Sequence, residues 1–176
     1  MSLSPRPVAL AAGLLMSVSA AIDIPYAQHD VFSTATDYVL EGFFALGLVT
    51  GATTLWLLCR AAPRRGARLA WAVAAAGTSL VGLAATGTAL AGRNVLGPAF
   101  GLGLLAILVG YAALAVLDLR RRVSPRFAGL ALATSVVAMA ALGDGPGMIG
   151  WAAGWFALAA LLQPVGARAT EPVPAA

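Results

Sequence analysis

The sequence predicts an all-α integral membrane protein, a six-helix transmembrane bundle of three hairpins. Three observations predict this class. Of the 176 residues, 60% are hydrophobic and only 10% are charged, whereas a soluble domain carries about 25% charged residues. Six apolar segments approach the length of about 20 residues that a spanning helix needs. The arginine residues are concentrated in short loops between those segments.

The six predicted spans cover most of the chain and are separated by short polar or glycine-rich turns. In chain order they are residues 8–24, 38–58, 69–91, 95–117, 124–142 and 148–165. Pro125 is acceptable in the first turn of the fifth span, where its missing N–H is not needed. Residues 1–165 are therefore predicted to form one polytopic domain, and residues 166–176 a disordered cytoplasmic tail.

The arginine distribution predicts the orientation of the bundle. With the N-terminus inside, every arginine except Arg93 falls on the cytoplasmic side, and most lie in two loops of four, at residues 60, 64, 65, 68 and 120, 121, 122, 126. Such a bias is the positive-inside signature of plasma-membrane proteins. It predicts an N-in/C-in protein of a bacterial cell membrane, and it explains the net charge of +4 without nucleic acid as a partner.

A secretory signal is the alternative interpretation of the first span. Arg6, the apolar run and Val18-Ser19-Ala20 resemble a signal peptide with its cleavage site. Cleavage would leave five spans and place the new N-terminus outside. The apolar run continues to Ile24, which favours a retained span.

Residues 23–41 form the polar centre of the sequence, with four of the seven acidic residues and the only histidine. Glu41 lies about one turn inside the second span, where a carboxylate costs a few kcal/mol and usually faces the bundle interior. Asp37 lies four residues earlier on the same helix face. Because two close carboxylates do not both ionise readily, we expect one to hold a proton. Asp23 could face Glu41 across the first hairpin, which gives a candidate catalytic set. A helix cap is the alternative for Asp37, and a helix-end carboxylate for Asp23.

Four further side chains are candidates for substrate binding at the same side of the membrane: Arg93, Tyr38, Trp151 and Trp155. Arg93 could pair with a carboxylate or hold an anionic head group, or it could be a solvated turn residue. The aromatic side chains could line the mouth of a pocket or anchor the helices at the membrane interface.

Metal and cofactor sites are not predicted. His29 lies beside Asp30 in the first loop, a pairing that can move protons, but its spacing from Asp23 matches no metal motif. The single cysteine, Cys59, excludes an internal disulfide and a cysteine-based metal cage.

Each even-numbered span carries a pair of glycines four residues apart: Gly47/Gly51, Gly97/Gly101 and Gly150/Gly154. Small residues at this spacing let helix backbones approach closely. The pairs suggest packing between three similar hairpins, and they leave open a homo-oligomer formed through these faces.

The chain resembles two groups of membrane proteins. Its composition, including the run from Asp37 to Phe44, is similar to small Arg/Ala/Gly-rich actinobacterial membrane proteins, a likeness that implies no activity. Its size, number of spans and isolated carboxylates resemble integral membrane terpene cyclases that work by protonation, although it carries no motif specific to them. The resemblance implies an enzyme that protonates an isoprenoid or lipid-like substrate. A small proton- or cation-coupled carrier and a non-enzymatic assembly or regulatory subunit remain the alternatives.

Overall fold

A computed structural model describes residues 4–26, 31–93, 97–123, 125–143 and 145–162. Among them it contains six α-helices: α1 Pro5–Asp23, α2 Ala35–Ala61, α3 Arg65–Ala91, α4 Gly97–Leu119, α5 Ala128–Leu142 and α6 Pro146–Leu161. His29, Asp30, Asp144 and the predicted tail lie outside the described residues, so the expectations for them stay predictions.

The all-α class is confirmed, and the helices fall on the six apolar segments. The helices α1 to α4 are long and apolar enough to cross a membrane. The helices α5 and α6 have 15 and 16 residues. At about 1.5 Å per residue they are roughly 23 Å long, against a hydrocarbon core of about 30 Å. Membrane insertion of all six helices and the N-in/C-in orientation therefore remain predictions.

The start of the fifth helix differs from the prediction. Phe127 has a φ of 68°, in the left-handed region, and the N–H of Ala128 donates to the Pro125 carbonyl at 3.4 Å. The left-handed residue prevents the helix from extending backwards, because helical backbone needs a negative φ. Pro125 thus belongs to the turn before α5, and its predicted place in the first helical turn is wrong.

The helices form a closed ring. Each one packs against the helices before and after it in the chain, and α6 packs against α1. Glycines allow close approaches, for example between α3 and α4: a Cβ added at Gly110 would lie 2.6 Å from the Ala74 nitrogen, and one at Gly77 would lie 2.7 Å from the Ile107 nitrogen. Only glycine allows this backbone spacing, as is common between membrane helices.

Large aromatic side chains fill the centre of the ring. Trp71, Tyr111, Trp151 and Trp155 are all buried. The Phe44 ring of α2 meets the Trp151 ring edge-on, with 6.2 Å between centroids. The structure thus places both tryptophans of α6 inside the bundle, so their alternative role as interfacial anchors is wrong.

The outward faces of the helices are apolar. Large exposed side chains include Leu14, Leu46, Leu69, Leu83, Leu102, Leu105, Val137 and Ile149. A water-exposed monomer rarely shows so much apolar surface, so these faces suit contact with lipid.

Hydroxyl groups within the helices are used locally. Several donate to a carbonyl one turn earlier on their own helix: Thr50, Thr53, Thr54, Thr78, Ser79 and Thr86. The Ser79 hydroxyl also accepts from the indole N–H of Trp56 on α2 at 3.3 Å, which links α2 and α3.

Candidate functional site

The carboxylate of Asp37 organises the start of α2. Thr34 is the N-cap residue, and its hydroxyl accepts a hydrogen bond from the Asp37 N–H, while Asp37 reaches back to the Thr34 N–H to form a capping box. The N–H groups of Ser33 and Thr34 each donate to Asp37 Oδ2 at 2.9 Å. Asp37 is 0% exposed. Asp37 thus has a capping role, but the predicted N-cap position is wrong: Thr34 is the N-cap and Asp37 lies at the third helical position.

Tyr26 joins this cap to the end of α1. Its hydroxyl donates to Asp37 Oδ1 at 3.0 Å and lies 2.7 Å from Thr34 Oγ1. The N–H of Tyr26 donates to the Asp23 carbonyl at 3.2 Å, which keeps the tyrosine against the helix end. Donors therefore hold both oxygens of Asp37, and the positive end of the α2 dipole favours its charge. This carboxylate stabilises the first hairpin.

Glu41 lies one turn deeper on the same face of α2. It is 8% exposed and is followed at helical spacing by Phe44, which contacts Trp151. The hydroxyl of Ser19 donates to the Leu40 carbonyl at 3.3 Å, which holds α1 against this turn. Glu41 thus lies at the outer end of the aromatic core, the buried position expected for a carboxylate at membrane depth.

Asp23 ends α1 and lies next to the start of α6. A Cβ added at Gly145, the N-cap residue of α6, would lie 3.5 Å from Asp23 Oδ2. The positive end of the α6 dipole stabilises a carboxylate at this position. This setting supports the predicted alternative, a helix-end carboxylate, while a catalytic role for Asp23 stays a prediction.

Tyr38 and Arg93 lie at the same end of the bundle. The chain before α2 pairs with the end of α3 through an isolated bridge between Val31 and Arg93, and Phe32 N–H donates to the Gly92 carbonyl at 2.9 Å. The Tyr38 ring stands perpendicular to the Phe32 ring, with 5.1 Å between centroids. Tyr38 is 45% exposed and Arg93 is exposed. These two substrate-binding candidates are thus on the surface, whereas Trp151 and Trp155 are inside.

Asp118, which the sequence analysis missed, caps α5 from another helix. It is 7% exposed near the end of α4, and its Oδ2 accepts hydrogen bonds from the N–H groups of Gly129 and Leu130. These donors belong to the first turn of α5, where backbone N–H groups lack helical partners. The available signal was an acid within an apolar helix, just before the run Arg120 to Arg122.

Two cavities formed by the described residues lie at the opposite end of the bundle. A cavity of about 190 Å³ lies between the α2–α3 and α4–α5 turns, lined by Arg64, Trp71, Arg121 and Arg122 among others. An apolar groove of about 560 Å³ runs between α3 and α4. Neither is lined by a residue of the 23–41 region.

No protein-family model, curated protein sequence or solved structure matches this chain. The function of the chain is therefore inferred from the site around Asp37 and Glu41 and from the cavities at the opposite end of the bundle.

Proposed function

We propose that this protein is an enzyme of a bacterial cell membrane, with six spans and both termini in the cytoplasm, that uses Glu41 as the acid towards an isoprenoid or lipid-like substrate. The observation that carries the proposal is the burial of Glu41, which is 8% exposed one helical turn before Phe44, whose ring meets Trp151. An acid that holds its proton at neutral pH can protonate an apolar substrate.

The two carboxylates of α2 have different roles under this proposal. Asp37 is held by the Thr34 and Ser33 N–H groups and by Tyr26, so its charge is stabilised and it serves the fold. Glu41 lies one turn deeper in α2, next to the turn that carries Phe44. Aromatic faces next to an acid also suit a substrate that becomes cationic on protonation, because cations are attracted to ring faces.

The packing of the interior argues against an ion path along this side of α2. A Cβ added at Gly51 would lie 2.6 Å from the Trp155 ring, so tryptophan closes the space below Glu41. The hydroxyls of Thr50 and Thr54 are bonded within α2. An ion would therefore meet aromatic rings and occupied hydroxyls along this side of the interior.

Two variants test the proposal: Glu41→Gln, and Asp37→Asn as the matched control. Purified protein in nanodiscs is treated with dicyclohexylcarbodiimide, which attacks carboxylic acids in their protonated form, and the modified residue is identified by mass spectrometry. We expect modification of Glu41 at neutral pH, its loss in Glu41→Gln, and its retention in Asp37→Asn protein that remains folded. Difference infrared spectra should show the matching protonated carboxyl band.

Turnover is the second readout. Wild-type and Glu41→Gln proteins are incubated with a panel of linear isoprenoids, and the products are separated by gas chromatography and mass spectrometry. Cyclised or isomerised product from the wild type alone supports acid catalysis. A Glu41 that is ionised at neutral pH and unreactive to the carbodiimide would contradict the proposal and favour the assembly-subunit alternative.

A further inference from the structure

The cavity at the arginine-rich end has the shape and charge of an anion site. Its volume of about 190 Å³ corresponds to roughly six waters at about 30 Å³ each, which is room for a phosphate group. Arg64 approaches it from the α2–α3 turn, and Arg121 and Arg122 from the α4–α5 turn. No carboxylate is among its lining residues. Guanidinium groups bind phosphate through paired N–H donors.

Only some of the loop arginines line this cavity. This selectivity distinguishes an anion-binding site from the general positive charge at this end of the bundle. Arg68 donates from Nε and Nη2 to the Ala62 carbonyl at 3.3 and 3.0 Å, so it fixes the α2–α3 turn. The Arg126 guanidinium lies over the Phe127 ring at 5.0 Å from its centroid. Arg60 and Arg120 do not line the cavity, although the arginines that do line it are exposed as well.

Arg121 occupies a backbone position that favours glycine. Its φ is 53°, in the left-handed region that a side chain disfavours. Its N–H donates to the Asp118 carbonyl, and the Arg122 N–H donates to the Leu117 carbonyl, both at 2.8 Å. This is a Schellman motif, whose left-handed position is usually glycine. An arginine kept where glycine folds more easily indicates a role for its side chain.

Trp71 forms a buried part of the cavity wall. It lines the cavity and is 0% exposed, so the cavity is bounded by an apolar ring as well as by arginine side chains.

An apolar groove begins at the same end of the bundle. Gly66 and Ala70 of α3 line the groove, and they neighbour in sequence Ala67 and Trp71, which line the cavity. Its other wall includes Leu117 of α4, close in sequence to Arg121. The groove offers acyl chains an apolar wall at the same end of the bundle as the charged site.

We propose that the cavity bounded by Arg64, Arg121, Arg122 and Trp71 binds the phosphate of an anionic phospholipid, with its acyl chains along the α3–α4 groove. This site lies at the other end of the bundle from Glu41, and the proposal stands independently of the acid function.

The test measures lipid binding to the full-length protein in detergent by isothermal titration. The titrants are dioctanoyl-phosphatidylglycerol, dioctanoyl-phosphatidylcholine and sodium phosphate. The matched variants are Arg121→Gln, which alters the cavity, and Arg120→Gln, which removes a neighbouring charge outside it. Arg121→Gly is the third variant, because glycine suits the left-handed backbone and should keep or raise the Tm.

We expect saturable binding of phosphatidylglycerol. Loss of one arginine–phosphate contact should raise its Kd about tenfold in Arg121→Gln and Arg121→Gly. Arg120→Gln should change it by less than about twofold, as for an exposed charge. Phosphatidylcholine and free phosphate should bind more weakly. Equal losses in the Arg120 and Arg121 variants, or phosphatidylcholine binding equal to that of phosphatidylglycerol, would overturn the proposal. Tight binding of inorganic phosphate without lipid binding would overturn the lipid assignment and indicate a soluble phosphate compound.

Discussion

The hydroxyl of Tyr26 donates a hydrogen bond to Oδ1 of Asp37 at 3.0 Å, across the connection between α1 and α2. The opposite oxygen accepts from the N–H groups of Ser33 and Thr34 at 2.9 Å. One carboxylate therefore closes the capping box of α2 and also holds the end of α1. The arrangement matters for function because Glu41 follows one turn later, in a helix whose start is fixed.

Replacing Asp37 should destabilise the protein more than removing the tyrosine hydroxyl. Asp37→Asn loses the charge and at least one acceptor in a fully buried box, and we expect its free energy of unfolding to fall by about 3 kcal/mol. Tyr26→Phe loses one hydrogen bond, at a cost of about 1 kcal/mol. Denaturant unfolding in detergent, followed by circular dichroism, measures both. A fully stable Asp37→Asn protein would show that the box contributes little to the fold.

The contact from Asp118 to α5 makes a second prediction. Asp118→Ala leaves the N–H groups of Gly129 and Leu130 without their acceptor, so the first turn of α5 should fray. Loss of a cap costs about 1 kcal/mol, and hydrogen exchange should rise at these two amides while those in the middle of α2 stay protected. Unchanged exchange at Gly129 and Leu130 would contradict the assignment of Asp118 as a cap.

Much of the fold could be predicted because apolar segments and polar turns alternate clearly along the chain. The capping role of Asp37 was available as an alternative, since a carboxylate shortly after a threonine is a recognised helix start. The buried position expected of Glu41 also agrees with the structure. Such features depend on residues close together in the sequence.

The features that the sequence did not reveal depend on partners far apart in the chain. Asp118 caps a helix that begins ten residues later, and its position as an acid in an apolar helix does not show which backbone groups it contacts. Trp155 meets Gly51 across the ring of helices, so its burial needs the tertiary arrangement. Arg121 lines the cavity, whereas Arg120 lies outside it. This difference follows from the backbone conformation at the end of α4.

The glycine pairs of the even-numbered helices have different surroundings, which gives a third prediction. A Cβ at Gly51 would lie 2.6 Å from Trp155 Cζ2, whereas a Cβ at Gly101 would meet nothing within 4 Å. Gly51→Ala should therefore destabilise by about 1–3 kcal/mol through overpacking. Gly101→Ala should be neutral or stabilising by up to about 1 kcal/mol, because alanine favours the helix. Thermal unfolding in detergent compares the two, and equal effects would contradict the packing described.

The different surroundings of the glycine pairs also limit which helix face could form the predicted homo-oligomer. The pairs on α2 and α6 pack inside the chain, where a Cβ at Gly47 would meet Met16 and one at Gly154 would meet Ser135. Only the α4 pair has an exposed face among them, and a homo-oligomer through these motifs would use it. Gly101→Leu should then lower the mass measured by light scattering of the detergent-solubilised protein. A mass that is the same for wild type and Gly101→Leu would exclude this face as the contact.

The orientation of the bundle can be tested with the lone cysteine removed. Cys59 is 7% exposed and its thiol lies 3.4 Å from the Arg68 carbonyl, so Cys59→Ala should fold and provide a cysteine-free background. In that background, Arg93→Cys should react with a membrane-impermeant maleimide on intact cells, and Arg120→Cys only after permeabilisation. Leu142 lies at the exposed end of α5. If both short helices cross the bilayer, Leu142→Cys should be labelled on intact cells, as Arg93→Cys is. Labelling of Leu142→Cys from the same side as Arg120→Cys would mean that α5 does not span the membrane, and the six-span prediction would have to be replaced by a four-span bundle with two interfacial helices.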